Sequence, residues 1–283
     1  MRVDSFRYLP KSFQAFFADV APLEGETEPV WADFGPRLAD ARIALLSSGG
    51  LSCPTQAAFD TDRERAEPTW GDPSWRPIPK DVGQGDLSMA HLHVNTDDFA
   101  ADHEVAMPLR ALDHLVEGGV VGASAAEHVS VMGYQAAGLE EWRTTTAPEV
   151  AAFLRDQGVD GVVLAPNCPD CCRNIPVLAR HLEKAGVPTV VVTMMPAIAD
   201  ALVTPRTLGV EFPFGRAFGP AHDDATHRRV LEAALRVLAG APRPGIRLDL
   251  DIEWPVPAKE AYKAWQPHEP SPLIAQLLGP SSS

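Results

Sequence analysis

The chain lacks any apolar run near the ~20 residues that a helix needs to cross a bilayer, and no stretch gathers lysine and arginine. With a formal charge of −14, neither nucleic acid nor an anionic membrane surface is an expected partner, because binding phosphates requires clustered cations. No Gly-X-Gly-X-X-Gly follows a strand pattern, so a nucleotide cofactor has no fingerprint, and a Walker-type phosphate loop is missing too. The Gly-X-Ser-X-Gly elbow of many serine hydrolases is also absent. The opening residues, "MRVDSFRYLPKSFQAFF", place polar groups where a signal peptide needs an unbroken apolar stretch. These absences predict a soluble, cytoplasmic protein acting on a small molecule.

Cysteine is scarce, at four residues, and proline is abundant, at 27. Hydrophobic residues make up 45% and charged residues 22% of 283, which suits a folded chain with a sizeable core. The pattern of apolar runs predicts alternating strands and helices. "RIALLSSGGL" (42–51) is a strand ending in a Gly-Gly turn. "LSMAHLHV" (87–94) alternates, which puts Met89, His91 and His93 on one strand face. "MPLRALDHLVEGG" gives a helix with Leu109, Leu112 and Val116 on one stripe, and "EHVSVMGY" a strand. "APEVAAFLRDQG" opens as a helix at Pro148 and closes at Gly158. "VDGVVLAP", "CCRNIPVLARHLEKAG" and "VPTVVVTMMP" form a β-α-β unit, hence a parallel strand pair. A last long helix covers 223–240. The fold class expected is α/β: a mostly parallel sheet flanked by helices, with an irregular Pro-rich N-terminal loop (including "DTDRERAEPTWGDPSWRPIPKD") and a C-terminal arm. Residues 1–240 are expected to form one domain, and 241–283 an arm packed on it with a frayed end.

Three of the four cysteines fall within "NCPDCC", Cys168, Cys171 and Cys172, directly after the strand "VDGVVL". Reactive groups in open α/β sheets sit beyond the carboxyl ends of strands, and free N–H groups in the first helical turn stabilise a thiolate. Arg173 would add to that. Cys168-X-X-Cys171 lets one thiolate attack and the other resolve the adduct as a disulfide, with Cys168 exposed ahead of the helix. Two other readings stay open. The thiols are packing, as is expected for Cys172 and for Cys53 in "GGLSCPT". Or Cys168 and Cys171 bind zinc or iron together with His91 and His93, since the chain has no second Cys-X-X-Cys to complete four ligands.

The run "NCPDCCRNIPVLARHLEKAGVPTVVVTMMP" resembles the segment around the selenocysteine in the selenoprotein B subunits of glycine, sarcosine and betaine reductases and of D-proline reductase. The similarity extends to "VEFPFGRAFG" (210–219), and the N-terminal pattern "RYLP…FDTDRERAEPTWGDPSWRPIP…HLHVNTD" resembles cysteine-containing homologues of that family. Cys168 falls at the selenocysteine position and Cys171 at the resolving cysteine; Asn174 stands where glycine and betaine reductases have a third cysteine. The resemblance implies reductive cleavage of a carbon–heteroatom bond, with Cys168 as nucleophile and Cys171 as resolving thiol. An external dithiol or a thioredoxin-like protein would restore both thiols, with no resident cofactor in this chain. It also implies a partner subunit, which in the selenoenzymes supplies a pyruvoyl group; this sequence offers no site for making its own. A thiol is a weaker nucleophile than a selenol, so the loop must lower the Cys168 pKa or the leaving group must be better than an amine.

Other candidates carry less chemistry. His91 and His93 suit a general acid, with Asn95 following in "HLHVNTDD". Glu211, a carboxylate in an apolar stretch, and Arg216 are candidate substrate contacts. Trp70, Trp75 and Arg76 lie on a loop that suits a lid. Two rivals to a reductase remain: a metalloprotein, and a non-catalytic subunit that docks on a partner. A homodimer is the base-rate expectation for assembly.

Overall fold

The structure, a computed structural model, describes residues 2–18 and 27–278. The strands are β1 (Arg42–Ser47), β2 (Leu51–Ser52), β3 (Trp75–Pro79), β4 (Ser88–Met89) and β5 (Ala123–Ser124). They continue with β6 (Glu127–Val131), β7 (Gly161–Ala165), β8 (Thr189–Thr193), β9 (Arg206–Gly209) and β10 (Ile246–Asp249). The helices are α1 (Lys11–Ala18), α2 (Thr61–Ala66), α3 (Asp97–Ala101), α4 (Leu109–Glu117) and α5 (Ala147–Asp156). After them come α6 (Pro169–Lys184), α7 (Pro196–Ala201), α8 (Asp224–Gly240), α9 (Ala258–Ala264) and α10 (Pro272–Leu278).

The expected α/β architecture is present. The main sheet runs β10-β9-β8-β7-β1-β6-β3, with β5 also paired to β1, and every pairing is parallel except that of β3 with β6. Strands β7 and β8 are buried at every residue, as a sheet covered on both faces requires. Helices α5 and α6 pack on each other, as do α4 and α8. The stripe Ile175, Leu178, Ala179 and Leu182 of α6 is fully buried, and Gly186 ends the helix region with φ +83°.

The winding of this sheet decides where chemistry can occur. From β1 the chain moves outward to β6, then returns across β1 to β7 and continues through β8 and β9. The direction therefore reverses between β1 and β7, and the crevice beyond their carboxyl ends is the favoured place for a ligand. Ser47 ends one strand there with Ser48 directly after it, and the cysteine loop follows the other.

Two expectations need correction. The stretch 60–81 is not irregular: Asp60 accepts the Arg63 N–H and caps α2, and Trp75–Pro79 forms the antiparallel edge strand β3. Trp75 and Arg76 thus belong to the sheet edge rather than to a lid, with Trp75 Nε1 donating to Glu149 at 3.0 Å and Arg76 stacked over Phe59. The strand at 87–94 is cut to two residues, because the Ala90 N–H turns to Gly50 O and the chain then bends. His91 and His93 consequently sit on a loop. In the segment 241–283, β10 joins the edge of the main sheet and α9 and α10 follow; the frayed end expected at 279–283 lies outside the described residues, as does 19–26 of the N-terminal loop.

Candidate active site around Cys168 and Cys171

Pro169 at the first position of α6 needs no hydrogen-bond partner for its nitrogen, which makes the preceding residue the natural cap. That residue is Cys168, extended at φ −123° and ψ 170°, and its Sγ accepts the Cys171 N–H at 3.0 Å. One turn later the Cys171 side chain points inward to His91, with 3.2 Å between Sγ and Nε2. The ends of β1 and β6 close around it. A Cβ on Gly133 would lie 2.6 Å from Cys171 Sγ and 2.6 Å from Ser48 Cβ. Asn167, whose backbone N–H donates to Ser48 Oγ at 2.9 Å, and Asn174, which donates to Gly133 O, fasten the loop to both strands.

The two thiols are unequal. Burial pushes Cys168 well above its ordinary range, and the adjacent Cys171 sulfur pushes it further. Burial opposes ionisation of Cys171 too, but the hydrogen bond with Cys168, the electrostatic and hydrogen-bonding influence of His91 and a hydrogen bond with Ser48 outweigh burial and bring it well below its usual range. His91 responds in the opposite sense: burial alone would lower its pKa, and the Cys171 sulfur raises it. Its Nδ1 accepts the His93 backbone N–H at 3.2 Å, which leaves the ring proton on Nε2, facing the sulfur. His91 and the hydrogen bonds thus favour a thiolate at Cys171, the cysteine given the resolving role from sequence. Cys168 is buried rather than exposed, yet it forms part of a cavity wall. Cys172 is packing: burial raises its thiol to about 12. All four cysteines are free thiols.

The cavity beside Cys168 holds about 710 Å³ and is bounded by α1, the start of α6 and the segment from Trp265 to Leu277. His93, Asp170 and Arg173 line it. His93 Nε2 meets the buried Glu64 carboxylate at 2.8 Å, and its ring stacks on Tyr134 at 3.7 Å. Burial raises the Asp170 carboxyl above its ordinary range, against the opposing charge of Arg173, whose Nη2 lies 3.3 Å away. Sequence reading passed over Asp170, Glu64 and Ser48. The signal for Ser48 was available, since it follows directly on the first strand at the place where the winding reverses.

No protein-family model matches the chain, and no solved structure does. Curated proteins match it. The D-proline reductase subunit gamma of Acetoanaerobium sticklandii is 25% identical over 226 residues, 80% of this chain and 90% of that protein. The glycine reductase complex component B subunit gamma of Peptoclostridium litorale is 26% identical over 253 residues, 84% of this chain and 57% of that subunit. The betaine reductase complex component B subunit beta of Peptoclostridium acidaminophilum is 28% identical over 181 residues, 63% of this chain and 40% of that subunit. The chain is related to these reductase subunits. It spans most of the D-proline reductase subunit and about half of the glycine and betaine reductase subunits. The likeness first visible in the cysteine loop thus extends along most of the molecule.

Against this reductase background, the remaining candidate residues fall into two sets. His91, Cys168 and Cys171 converge, with donor atoms within 4.8 Å of one another, a grouping that could hold a metal ion; His93 is turned to Glu64 instead. Glu211, Arg216 and Asn95 do not line the cavity beside Cys168. Glu211 is taken up by Arg7 and the Asp4 N–H, and Arg216 by Asp98 and the carbonyls of Phe214 and Ala264. Asn95 Oδ1 accepts the Asp97 N–H and faces a second cavity of about 620 Å³, which His91 also lines. Among the described residues, no helix is long and apolar enough to cross a membrane.

Proposed function

We propose that the chain is a thiol-dependent reductase subunit that cleaves a carbon–heteroatom bond of a small molecule, using Cys168 as nucleophile and Cys171 as resolving thiol. One observation carries the reading: Cys168 faces the cavity while Cys171, behind it, is held as the more acidic thiol by His91. The relatives, named as subunits of D-proline, glycine and betaine reductases, support the reaction class.

The geometry supports this division of labour. When a substrate carbon approaches, the Cys168 sulfur displaces the leaving group to form a thioether, and the Cys168 proton departs with that group as HX. Cys171, a thiolate held by the His91 Nε2–H, then attacks Cys168 Sγ. The carbon departs with the electron pair and is protonated, and a Cys168–Cys171 disulfide remains. In sum, two thiols supply two electrons, and the substrate R–X becomes R–H and HX. An external dithiol reduces the disulfide. Asp170 lines the same cavity, paired with Arg173, and burial raises its carboxyl above the ordinary range, which suits it to relay a proton to the departing carbon. A partner subunit and a cytoplasmic, reducing setting fit this chemistry.

The test is thiol mapping by mass spectrometry on anaerobically purified protein. The reading requires that mild oxidation join Cys168 to Cys171 and that Cys168→Ser abolish both the disulfide and any reductase activity. A Cys168→Ser variant that behaves as wild type would leave a docking role only. The convergence of His91, Cys168 and Cys171 supports a second reading, a three-ligand zinc or iron site open towards the cavity. Near-stoichiometric metal that protects both cysteines from alkylation would favour it.

A further inference from the structure

The cavity beside Cys168 is built for something unlike a small zwitterion. Its outer wall is Phe13, Phe16 and Phe17 from α1 and Leu273, Ile274 and Leu277 from α10. At about 710 Å³ it falls in the range that encloses drug-sized ligands. Two of these apolar side chains stand largely in water, Phe16 59% and Leu277 70% exposed.

The inner end has the opposite character. Arg173 is the only lysine or arginine among the described residues lining the cavity, and its Nε is buried without a partner. Asp170, the carboxylate beside it, is already engaged with Arg173, and the Glu64 carboxylate is held by His93. A substrate ammonium group therefore finds no free carboxylate there, whereas an anion meets the one guanidinium that lines the cavity among the described residues. The reaction itself favours the same polarity. The carbon leaving Cys168 Sγ carries an electron pair, and a carboxyl group on that carbon, held by Arg173, accepts the charge.

We propose that the substrate is a bulky amphiphilic carboxylic acid with its leaving group on the carbon next to the carboxylate, Arg173 holding the carboxylate and α1 and α10 enclosing the apolar part. This rests on Cys168 being the nucleophile. The leaving-group carbon then lies at Cys168, between a charged inner end and an apolar mouth.

The experiment uses two alkylating probes of this design, 2-bromooctanoate and bromoacetate, on the reduced full chain. In each, Cys168 Sγ bonds to the carbon and bromide leaves. Rates are divided by the rate of each probe with free glutathione, and the adduct is located by mass spectrometry. Binding of decanoate, which cannot alkylate, is measured separately by calorimetry. The proposal expects a normalised preference for 2-bromooctanoate of at least about tenfold, with the adduct on Cys168. Arg173→Gln and the surface variant Leu277→Asp should each remove most of it and weaken decanoate binding. Adducts on Cys168 with no preference for the longer probe, and no decanoate binding, overturn the amphiphile and leave the nucleophile standing. Decanoate binding that depends on Arg173, with no adduct on Cys168 from either probe, supports the ligand class and removes the nucleophile.

Discussion

His91 Nε2 stands 3.2 Å from Cys171 Sγ while His91 Nδ1 accepts the His93 N–H, so one imidazole has its proton aimed at a single sulfur. The pair sets which of two neighbouring thiols ionises first. Removing the ring in His91→Ala leaves burial, the strongest single influence on Cys171, with less to oppose it. Ultraviolet titration of the thiolate should then show the first thiol ionising at least about one pH unit higher, the equivalent of one charge-assisted hydrogen bond. An unchanged midpoint would show that Ser48 and the Cys168 thiol hold Cys171 by themselves.

Gly133, two residues past the end of β6, lies against the site. The Cβ of an alanine there would need space already filled by Cys171 Sγ and Ser48 Cβ, both at 2.6 Å, and neither is the loose end of a long side chain. Gly133→Ala should lower stability by about 1–3 kcal/mol through overpacking and slow formation of the Cys168–Cys171 disulfide. Denaturant unfolding read beside the oxidised fraction at fixed times checks both effects. Normal stability with normal oxidation would mean that the loop gives way freely, against the reading of a rigid thiol pair.

Much of this was legible before any coordinates. The β7-α6-β8 unit announced itself because its strands are buried on both faces and therefore read as unbroken apolar runs, and Pro169 with Gly186 marks the ends of its helix. Cys168 and Cys171 were legible because their spacing is local. What stayed hidden depends on distant partners. Alternation around His91 and His93 matched a strand, but Ala90 bonds to Gly50 and the histidines are drawn apart, one to Cys171 and the other to Glu64. Glu211 and Arg216 looked available for a substrate because sequence does not show Arg7 or Asp98 beside them. The support that His91 gives Cys171 stayed hidden for the same reason: the helix start is visible in sequence, whereas the histidine 80 positions away is not.

The buried pair Arg206–Glu183 supports the far side of the sheet. Their side chains are wholly inaccessible and meet at 2.7 Å, and Glu183 also accepts the Thr189 N–H at 2.6 Å. Arg206 in turn donates to Ala32 O and stacks on Trp31, fastening that segment to β9. Arg206→Met should cost roughly 3–5 kcal/mol in denaturant unfolding, because Glu183 is left charged and buried. Adding Glu183→Gln should recover part of the loss. A single variant within about 1 kcal/mol of wild type would mean that water reaches the carboxylate.

His128 gives the fold a sensitivity to acid. The ring is fully buried between β1 and β6, with Nδ1 accepting the Leu45 N–H at 3.0 Å and Nε2 near Ser124 Oγ. Burial, helped by the charge of Lys80, lowers its pKa to about 3 from an ordinary 6.5. The sign follows directly. Below pH 6.5 the unfolded chain takes up a proton that the folded chain refuses until about pH 3. The neutral ring's contribution is therefore complete above 6.5 and is lost progressively as the pH falls between those values, by at most about 5 kcal/mol. His128→Gln keeps an acceptor for Leu45 but cannot titrate. Unfolding free energies measured from pH 7 down to 4 should fall less steeply for the variant than for wild type. Parallel slopes would mean that the native ring gains its proton without opening the sheet, and that the acid response lies with the carboxylates.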